Sequence, residues 1–181
     1  MGIIVIDGLN VELTRKNIKR MNMRIKEDGR VVISAPYLTP QFEIEHFVRS
    51  KRDWIDKNIV RVQQRAAARP EPADATEKER LRRALRARIA GRLPAIEQRT
   101  GLRANGFAIR DMHTRWGSCN TTTNHLNFSL MLAYRSDEEL DYIILHELAH
   151  TRVPNHGPEF KAILDCYYPN WRAIQKQLKN T

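Results

Sequence analysis

The sequence predicts an α+β chain in two parts. An amino-terminal β-rich lobe with helices spans residues 1–69, a linker spans 70–76, and a carboxyl-terminal part made of a small sheet and helices spans 77–181. Three observations predict this. Apolar residues alternate through the first 34 positions, as in Ile4 and Ile6 or Met21, Met23 and Ile25. A polar, proline-marked run follows, Arg69-Pro70-Glu71-Pro72-Ala73-Asp74. Beyond it the apolar period becomes helical, and one helical stretch carries His146-Glu147-Leu148-Ala149-His150 with His156 six residues later.

In chain order, Met1 to Ile6 reads as a first strand and Asn10 to Thr14 as mixed β structure. Asp28-Gly29 marks a hairpin turn into Val31-Val32-Ile33. Thr39-Pro40 opens a helix as N-cap and first residue, with Ile44, Phe47 and Val48 as its apolar stripe. Ser50 with Asp53 starts a second helix carrying Trp54, Ile55, Ile59 and Val62. Thr76 with Glu79 forms a capping box for a third, which runs to Thr100 and stops at Gly101. Leu81, Leu85, Ile89 and Ile96 mark its buried side, and Gly91 and Pro94 are expected to bend it. Six arginines crowd this helix, at 80, 82, 83, 86, 88 and 92. No aromatic residue interleaves with them, so they read as a solvated face rather than a base-stacking one. Gly106 to Met112 and His125 to Ala133 read as strands, with residues 113–124 as the turn between them.

Ser136 with Glu139 is a capping box for the helix that follows the second strand directly, and Leu140, Ile143, Ile144 and Leu148 form a stripe toward a core. Two histidines four residues apart lie on one helix face, so both rings can reach one ion. Pro154 is expected to stop the helix a turn after His150. Gly157 allows a tight backbone and Pro158 suits the start of a new helix, so the turn can bring His156 back to the ion. A zinc hydrolase needs three protein ligands and one open position for water, with a carboxylate such as Glu147 as general base. Strand followed by HExxH helix is the order a zincin-like architecture requires, because an edge strand can pair with extended substrate backbone. Glu159 offers either support to an imidazole or a third ligand in place of His156. Arg115, Trp116 and Tyr142 are candidates to stabilise the negative oxygen of the tetrahedral intermediate. His46, His113 and His125 lack ligand spacing, and Trp54, Trp116 and Trp171 read as packing residues.

Composition bounds the setting. The chain has 181 residues, 41% of them apolar, and no apolar run approaches the roughly 20 residues of a membrane span. Cys119 and Cys166 make no disulfide framework, and free thiols suit a reducing cytoplasm. A net charge of +10 and a pI near 10.0 favour contact with polyanions, nucleic acid among them; the same charge also suits a solvated surface without a partner.

Several segments together resemble the YgjP-like metallopeptidase domain family, relatives of the SprT and Spartan proteases. They are Thr114-Arg115-Trp116-Gly117-Ser118-Cys119, Leu126-Asn127-Phe128, Tyr142 through His150, Asn155-His156-Gly157-Pro158-Glu159-Phe160 and Tyr168-Pro169-Asn170-Trp171-Arg172. The amino-terminal half fits through Arg20 to Ile25, Ala35-Pro36 and Trp54-Ile55. Lys161 stands where many relatives have Trp, and Asn170 where Asp is usual. The resemblance implies one zinc ion bound by His146, His150 and His156, Glu147 as the catalytic carboxylate, and a peptide or protein substrate. It favours His156 over Glu159 as third ligand. Some members carry a nucleotide pyrophosphatase label, which implies a metal-dependent UTP pyrophosphatase as the alternative. Spartan-like relatives act on proteins crosslinked to DNA, which implies a DNA-associated role as a third reading.

Overall fold

In the computed structural model, which describes residues 2–180, the chain divides into two compact units, Met1–Arg69 and Pro70–Thr181. Met1, which opens the expected first strand, and Thr181, which closes the expected catalytic part, lie outside the described residues.

The first unit contains β1 (Gly2–Ile6), β2 (Leu9–Lys16), β3 (Asn22–Ile25), β4 (Val31–Pro36), α1 (Gln41–Ser50) and α2 (Arg52–Ala68). Its sheet has the order β1-β2-β4-β3. Two hairpins make it. The first turns through Asp7-Gly8, both at positive φ (47° and 78°), which suits a two-residue hairpin between Ile6 and its partner Leu9. The second turns at Asp28-Gly29 as expected, with Gly29 at φ 87° and the Asp28 carboxylate accepting the Arg30 N–H at 3.0 Å. The hairpins join where β2 and β4 pair in parallel, Val11 opposite Val31 through Lys16 opposite Pro36. Val11, Val31, Ile33 and Ala35 then pack with Ile44, Val48 and Ile55 of the helices.

Three local expectations are corrected here. α1 starts at Gln41 with Pro40 in the cap position; the Thr39 N–H goes back to the Pro36 carbonyl at 3.2 Å, which makes Thr39 part of a turn. Ser50 ends α1, its hydroxyl donating to the Phe47 carbonyl at 2.9 Å, and Lys51 occupies the cap position of α2. Trp54 is 46% exposed while Ile55 is fully buried. Consecutive helical residues are about 100° apart, so the two cannot share the buried face.

The second unit contains α3 (Ala75–Thr100), β5 (Phe107–Arg110), β6 (Gly117–Asn120), β7 (His125–Ser129), a 3-10 turn (Leu130–Tyr134), α4 (Asp137–Ala149), α5 (Pro158–Tyr167) and α6 (Trp171–Asn180). α3 begins within the expected linker. Asp74 accepts the Glu77 N–H at 2.7 Å and Glu77 accepts the Ala73 N–H at 2.7 Å, so the capping pair is Asp74/Glu77 rather than Thr76/Glu79. Both pairs have the right spacing, and the extended backbone of Asp74 (φ −154°) lets its side chain fold back. Gly101 ends the helix in the left-handed region at φ 69°, its N–H reaching the Glu97 carbonyl. Leu85, Ile89, Leu93 and Ile96 are its buried side.

The second sheet has the order β5-β7-β6, with β7 parallel to β5 and antiparallel to β6. Residues 117–120 are therefore a strand, not part of a turn. The strand nearest α4 in sequence, β7, is central, and β6 is an edge. Nor does α4 follow β7 directly. The Ser129 hydroxyl accepts the Met131 N–H at 3.2 Å and donates to the Met112 carbonyl at 2.6 Å, turning the chain into the 3-10 segment. The capping box of α4 is present, with Glu139 N–H to Ser136 Oγ at 3.1 Å and Ser136 N–H to Glu139 Oε2 at 3.0 Å. Leu140, Ile143, Ile144 and Leu148 are buried, but so are Tyr142, Leu145 and Ala149, so this helix is enclosed on more than one face. Among the described residues no helix is long and apolar enough to cross a membrane.

Candidate metal centre

The carboxyl end of α4 supplies His146 and Glu147, and His150 occupies the cap position just after Ala149. The helix thus stops before Pro154. The N–H groups of Thr151, Arg152 and Val153 close tight turns on the Leu148 and Ala149 carbonyls, and the chain then doubles back past Pro154 to His156. Pro158 is the first residue of α5, as expected. Gly157, its cap, has φ −73°, so the left-handed freedom of glycine is not used there.

Ligating atoms of His146, His150 and His156 all lie within 4.8 Å of one another. The buried Phe160 ring backs all three, with centroids 4.9, 4.7 and 4.7 Å from those of His146, His150 and His156. The second nitrogens of the two helix-borne rings have oxygen partners. His150 Nδ1 donates to the Val153 carbonyl at 3.1 Å, and His146 Nδ1 lies 3.4 Å from the Tyr142 hydroxyl. Protons on Nδ1 leave both Nε2 lone pairs for an ion. His146 Nε2 and His156 Nε2 are 3.1 Å apart. Two nitrogens sharing one tetrahedral zinc at 2.0–2.1 Å stand about 3.3 Å apart. The donor set and spacing therefore fit a divalent cation.

Burial sets the electrostatics. It pushes the Glu147 carboxyl, 5% exposed, up to about 8, against the pull of the Arg115 charge. Burial first, and then the charges of His150 and His156, push the His146 imidazole down to about 3, and burial lowers His150 as well. These two rings stay neutral near pH 7, which is the form a metal needs.

Glu147 and His146 face a cavity of ≈ 250 Å³. Arg115, Trp116 and Gly117 line one wall, Tyr142 and Ile143 the helix side, and Gln175, Leu178 and Lys179 of α6 another. The structure thus brings Arg115, Trp116 and Tyr142 together with Glu147. Trp116 is half-buried, with the Arg135 guanidinium 4.8 Å from its ring centre. Glu159 is exposed on the first turn of α5 and outside this lining; Tyr142 and Val153 are the partners the imidazoles find. Cys119, free and half-buried, and His113, 3.5 Å from Asp111, lie outside the histidine group, as do His46 and His125.

Two features of the site were not anticipated. Gly117 leaves room for Glu147, since a Cβ on it would sit 2.6 Å from Glu147 Cγ and Oε1. A glycine inside a strand signals a close approach, a cue visible only once residues 117–120 are seen as a strand. The α6 wall has no local signal, because only tertiary packing brings it over α4. Of the α3 arginines, Arg80, Arg83 and Arg86 are exposed as expected, while Arg88 and Arg92 differ from a solvated face. Arg88 pairs with Asp137 at 2.7 Å and donates to the Arg135 carbonyl at 2.8 Å, and Arg92 pairs with Asp141 at 2.8 Å. They tie α3 to the start of the histidine-bearing helix.

The model of the YgjP-like metallopeptidase domain family matches residues 19–81 and 70–181. No curated protein matches the chain. Among solved structures, the metallopeptidase zymogen jannalysin of Methanocaldococcus jannaschii is similar over 50% of this chain and 92% of its own, at 25% identity and a TM-score of 0.45. The metallopeptidase zymogen abylysin of Pyrococcus abyssi is similar over 50% and 90%, at 18% identity and a TM-score of 0.47.

Proposed function

The chain belongs to the YgjP-like metallopeptidase domain family, and on that premise we propose that it hydrolyses peptide bonds at one zinc ion held by His146, His150 and His156, with Glu147 as general base. One observation carries the reading: three imidazoles meet around a space the size of an ion, while a buried carboxylate lines the same cavity as one of them. Three imidazole nitrogens, one of them lining a cavity, favour zinc over the harder, oxygen-seeking cations.

When bound, the ion supplies Lewis acidity, polarising the scissile carbonyl and acidifying the attacking water. Glu147 takes the proton that this water loses and hands it to the leaving nitrogen. Without the ion, burial strengthens the hold of Glu147 on a proton; the charge of a bound cation would favour the carboxylate form that accepts one. The Arg115 guanidinium and the Tyr142 hydroxyl line the cavity as donors for the carbonyl oxygen as it gains charge. Trp116, Ile143 and Leu178 offer apolar walls to a substrate side chain. β6 is suited to hold the substrate backbone. The Trp116 carbonyl accepts the Ser129 N–H at 2.8 Å, so residues 116 and 118 bond toward β7 while Gly117 and Cys119 turn their backbone groups to the outer edge.

Metal analysis paired with Glu147→Gln tests the proposal. Wild type and variant are expected to carry one zinc each, with peptide cleavage falling about 10²–10⁴-fold in the variant. A fully zinc-loaded wild type that cleaves no peptide or protein in a broad substrate library sinks the peptidase reading. Release of phosphate from UTP in the same preparation, lost in Glu147→Gln, would put a nucleotide pyrophosphatase in its place.

A further inference from the structure

Four exposed cations without partners among the described residues gather at one end of the first sheet. β2 and β4 run in parallel and finish side by side, Lys16 opposite Pro36. β3 begins on the far side of β4, Asn22 opposite Ser34. The segment joining β2 to β3, residues 17–21, must therefore cross the end of β4 where Tyr37 and Leu38 emerge. No acidic residue occurs between Glu12 and Glu27, and those two are engaged by Lys26 and Arg69. Lys16, Lys19, Arg20 and Arg24 are exposed and make no ion pair or side-chain hydrogen bond among the described residues.

Exposed rings stand at the same end. Tyr37 is 64% and Phe42 69% exposed, with Leu38 between them at 94%. The loop that carries them is fastened. One Arg15 nitrogen donates to the carbonyls of Pro36, Tyr37 and Thr39 at 3.3, 2.9 and 2.7 Å. Glu43, beside Phe42, is the acid nearest to it in the chain. On α3, Arg88 and Arg92 are spent on Asp137 and Asp141 and Arg82 on the Ile109 carbonyl, and the exposed Arg80, Arg83 and Arg86 stand on a helix that has no aromatic residue to stack a base.

We propose that this end of the amino-terminal unit binds a single-stranded polynucleotide, with Lys16, Lys19, Arg20 and Arg24 on its phosphates and Tyr37 and Phe42 stacked on its bases. Cations along a track with sequence-tolerant ring platforms beside it are what such a ligand requires. Two aromatic rings against one aliphatic side chain favour stacking over insertion into lipid. None of these residues lines the proposed peptidase site, and the inference does not depend on that reading.

Fluorescence anisotropy with a labelled 20-nucleotide single strand and the zinc-loaded full chain tests the assignment. Four phosphate contacts predict a drop in affinity of about fiftyfold between 50 and 200 mM salt. Lys19→Glu with Arg20→Glu is expected to weaken binding at least about tenfold and flatten the salt slope. Tyr37→Ala with Phe42→Ala weakens it at least about fivefold at an unchanged slope. Arg80→Glu with Arg83→Glu, the same change of charge on α3, leaves affinity within about twofold. Peptide cleavage stays at the wild-type level in all three. Should the charge-reversed pair fail to fold, Lys19→Ala with Arg20→Ala reads the same change of slope. Absence of salt-sensitive binding, equal loss from the α3 pair, equal affinity for a duplex of the same length, or capture by phosphatidylserine vesicles without capture of the oligonucleotide each overturns the proposal.

Discussion

The two ends of α4 are held by opposite means. At the amino end Ser136 and Glu139 exchange backbone hydrogen bonds, and Arg88 and Arg92 reach over from α3 to Asp137 and Asp141. Asp137, Glu139 and Asp141 there each have a partner and contact with solvent. At the carboxyl end Glu147 is buried with no hydrogen bond or ion pair among the described residues, and the imidazoles of His146 and His150 are displaced toward neutrality by their surroundings. The first end fixes the helix. The second holds ionisable groups in an environment that disfavours their charged forms, a condition that a bound cation relieves. A site of this kind needs a rigid support elsewhere, and the cap of the polar clamp lies about three helical turns from the chemistry it steadies.

That contrast can be broken or sharpened by experiment, beginning with the site end. With zinc at about a thousand times its Kd, wild type is expected to gain about 4 kcal/mol on loading. His150→Ala should lose both the gain and the bound metal, read by denaturation with and without zinc beside metal analysis. An equal gain in the two proteins would remove the site end from the comparison. Gly117→Ala drives a methyl to within 2.6 Å of the Glu147 carboxylate. Peptide cleavage should fall on the order of a hundredfold with zinc content unchanged, because a displacement near 1 Å is enough to spoil the geometry.

In the metal-free protein the same end should set the pH profile of stability. Glu147 rises from 4.5 to about 8, so between these values the folded state keeps a proton that the unfolded chain has lost, and stability falls as pH rises. His146 falls from 6.5 to about 3 and His150 is lowered too, so below pH 6.5 the unfolded chain takes up protons that the folded state refuses, and stability falls as pH drops. Stability should peak near pH 6.5 and decline toward pH 8 by at most about 1.4 kcal/mol per unit. Glu147→Gln should abolish that alkaline decline in chelator-treated protein; a decline that persists unchanged would assign it to another group. The smallest effect belongs to the amino end. Ser136→Ala should cost about 1 kcal/mol of stability, with kcat/KM within about twofold of wild type. A large loss of activity there would mean that the clamp and the chemistry are not separable.

Local signals made much of this legible. Ser136 and Glu139 form a cap whose two bonds are completed within four residues, and the Asp28-Gly29 turn and the Gly101 stop are equally short-range. The histidine spacing needed only the pitch of a helix. Where two local patterns competed, sequence could not choose: Asp74/Glu77 and Thr76/Glu79 have the same spacing, and the backbone at Asp74 decided between them. β6 was hidden because Gly117-Ser118-Cys119-Asn120 has no apolar alternation, and its strand exists through pairing with β7. The same long-range packing gives Gly117 its contact with Glu147 and sets Gln175 and Leu178 against the cavity. The engagement of Arg88 and Arg92 is not legible in sequence because their carboxylate partners lie 49 positions away in the chain.

All three imidazoles come from an eleven-residue stretch, 146 to 156. An ion gripping them ties off a very small loop of chain, and closing so short a loop removes little disorder from the unfolded polymer. Neither sheet contributes a ligand. Unlike a zinc finger, whose architecture appears only with its metal, this protein has no reason to wait for zinc before folding. Maturation would then run in two stages, with a finished scaffold first and metallation afterward, and a chelator should loosen the return between Thr151 and Gly157 while the strands stay paired.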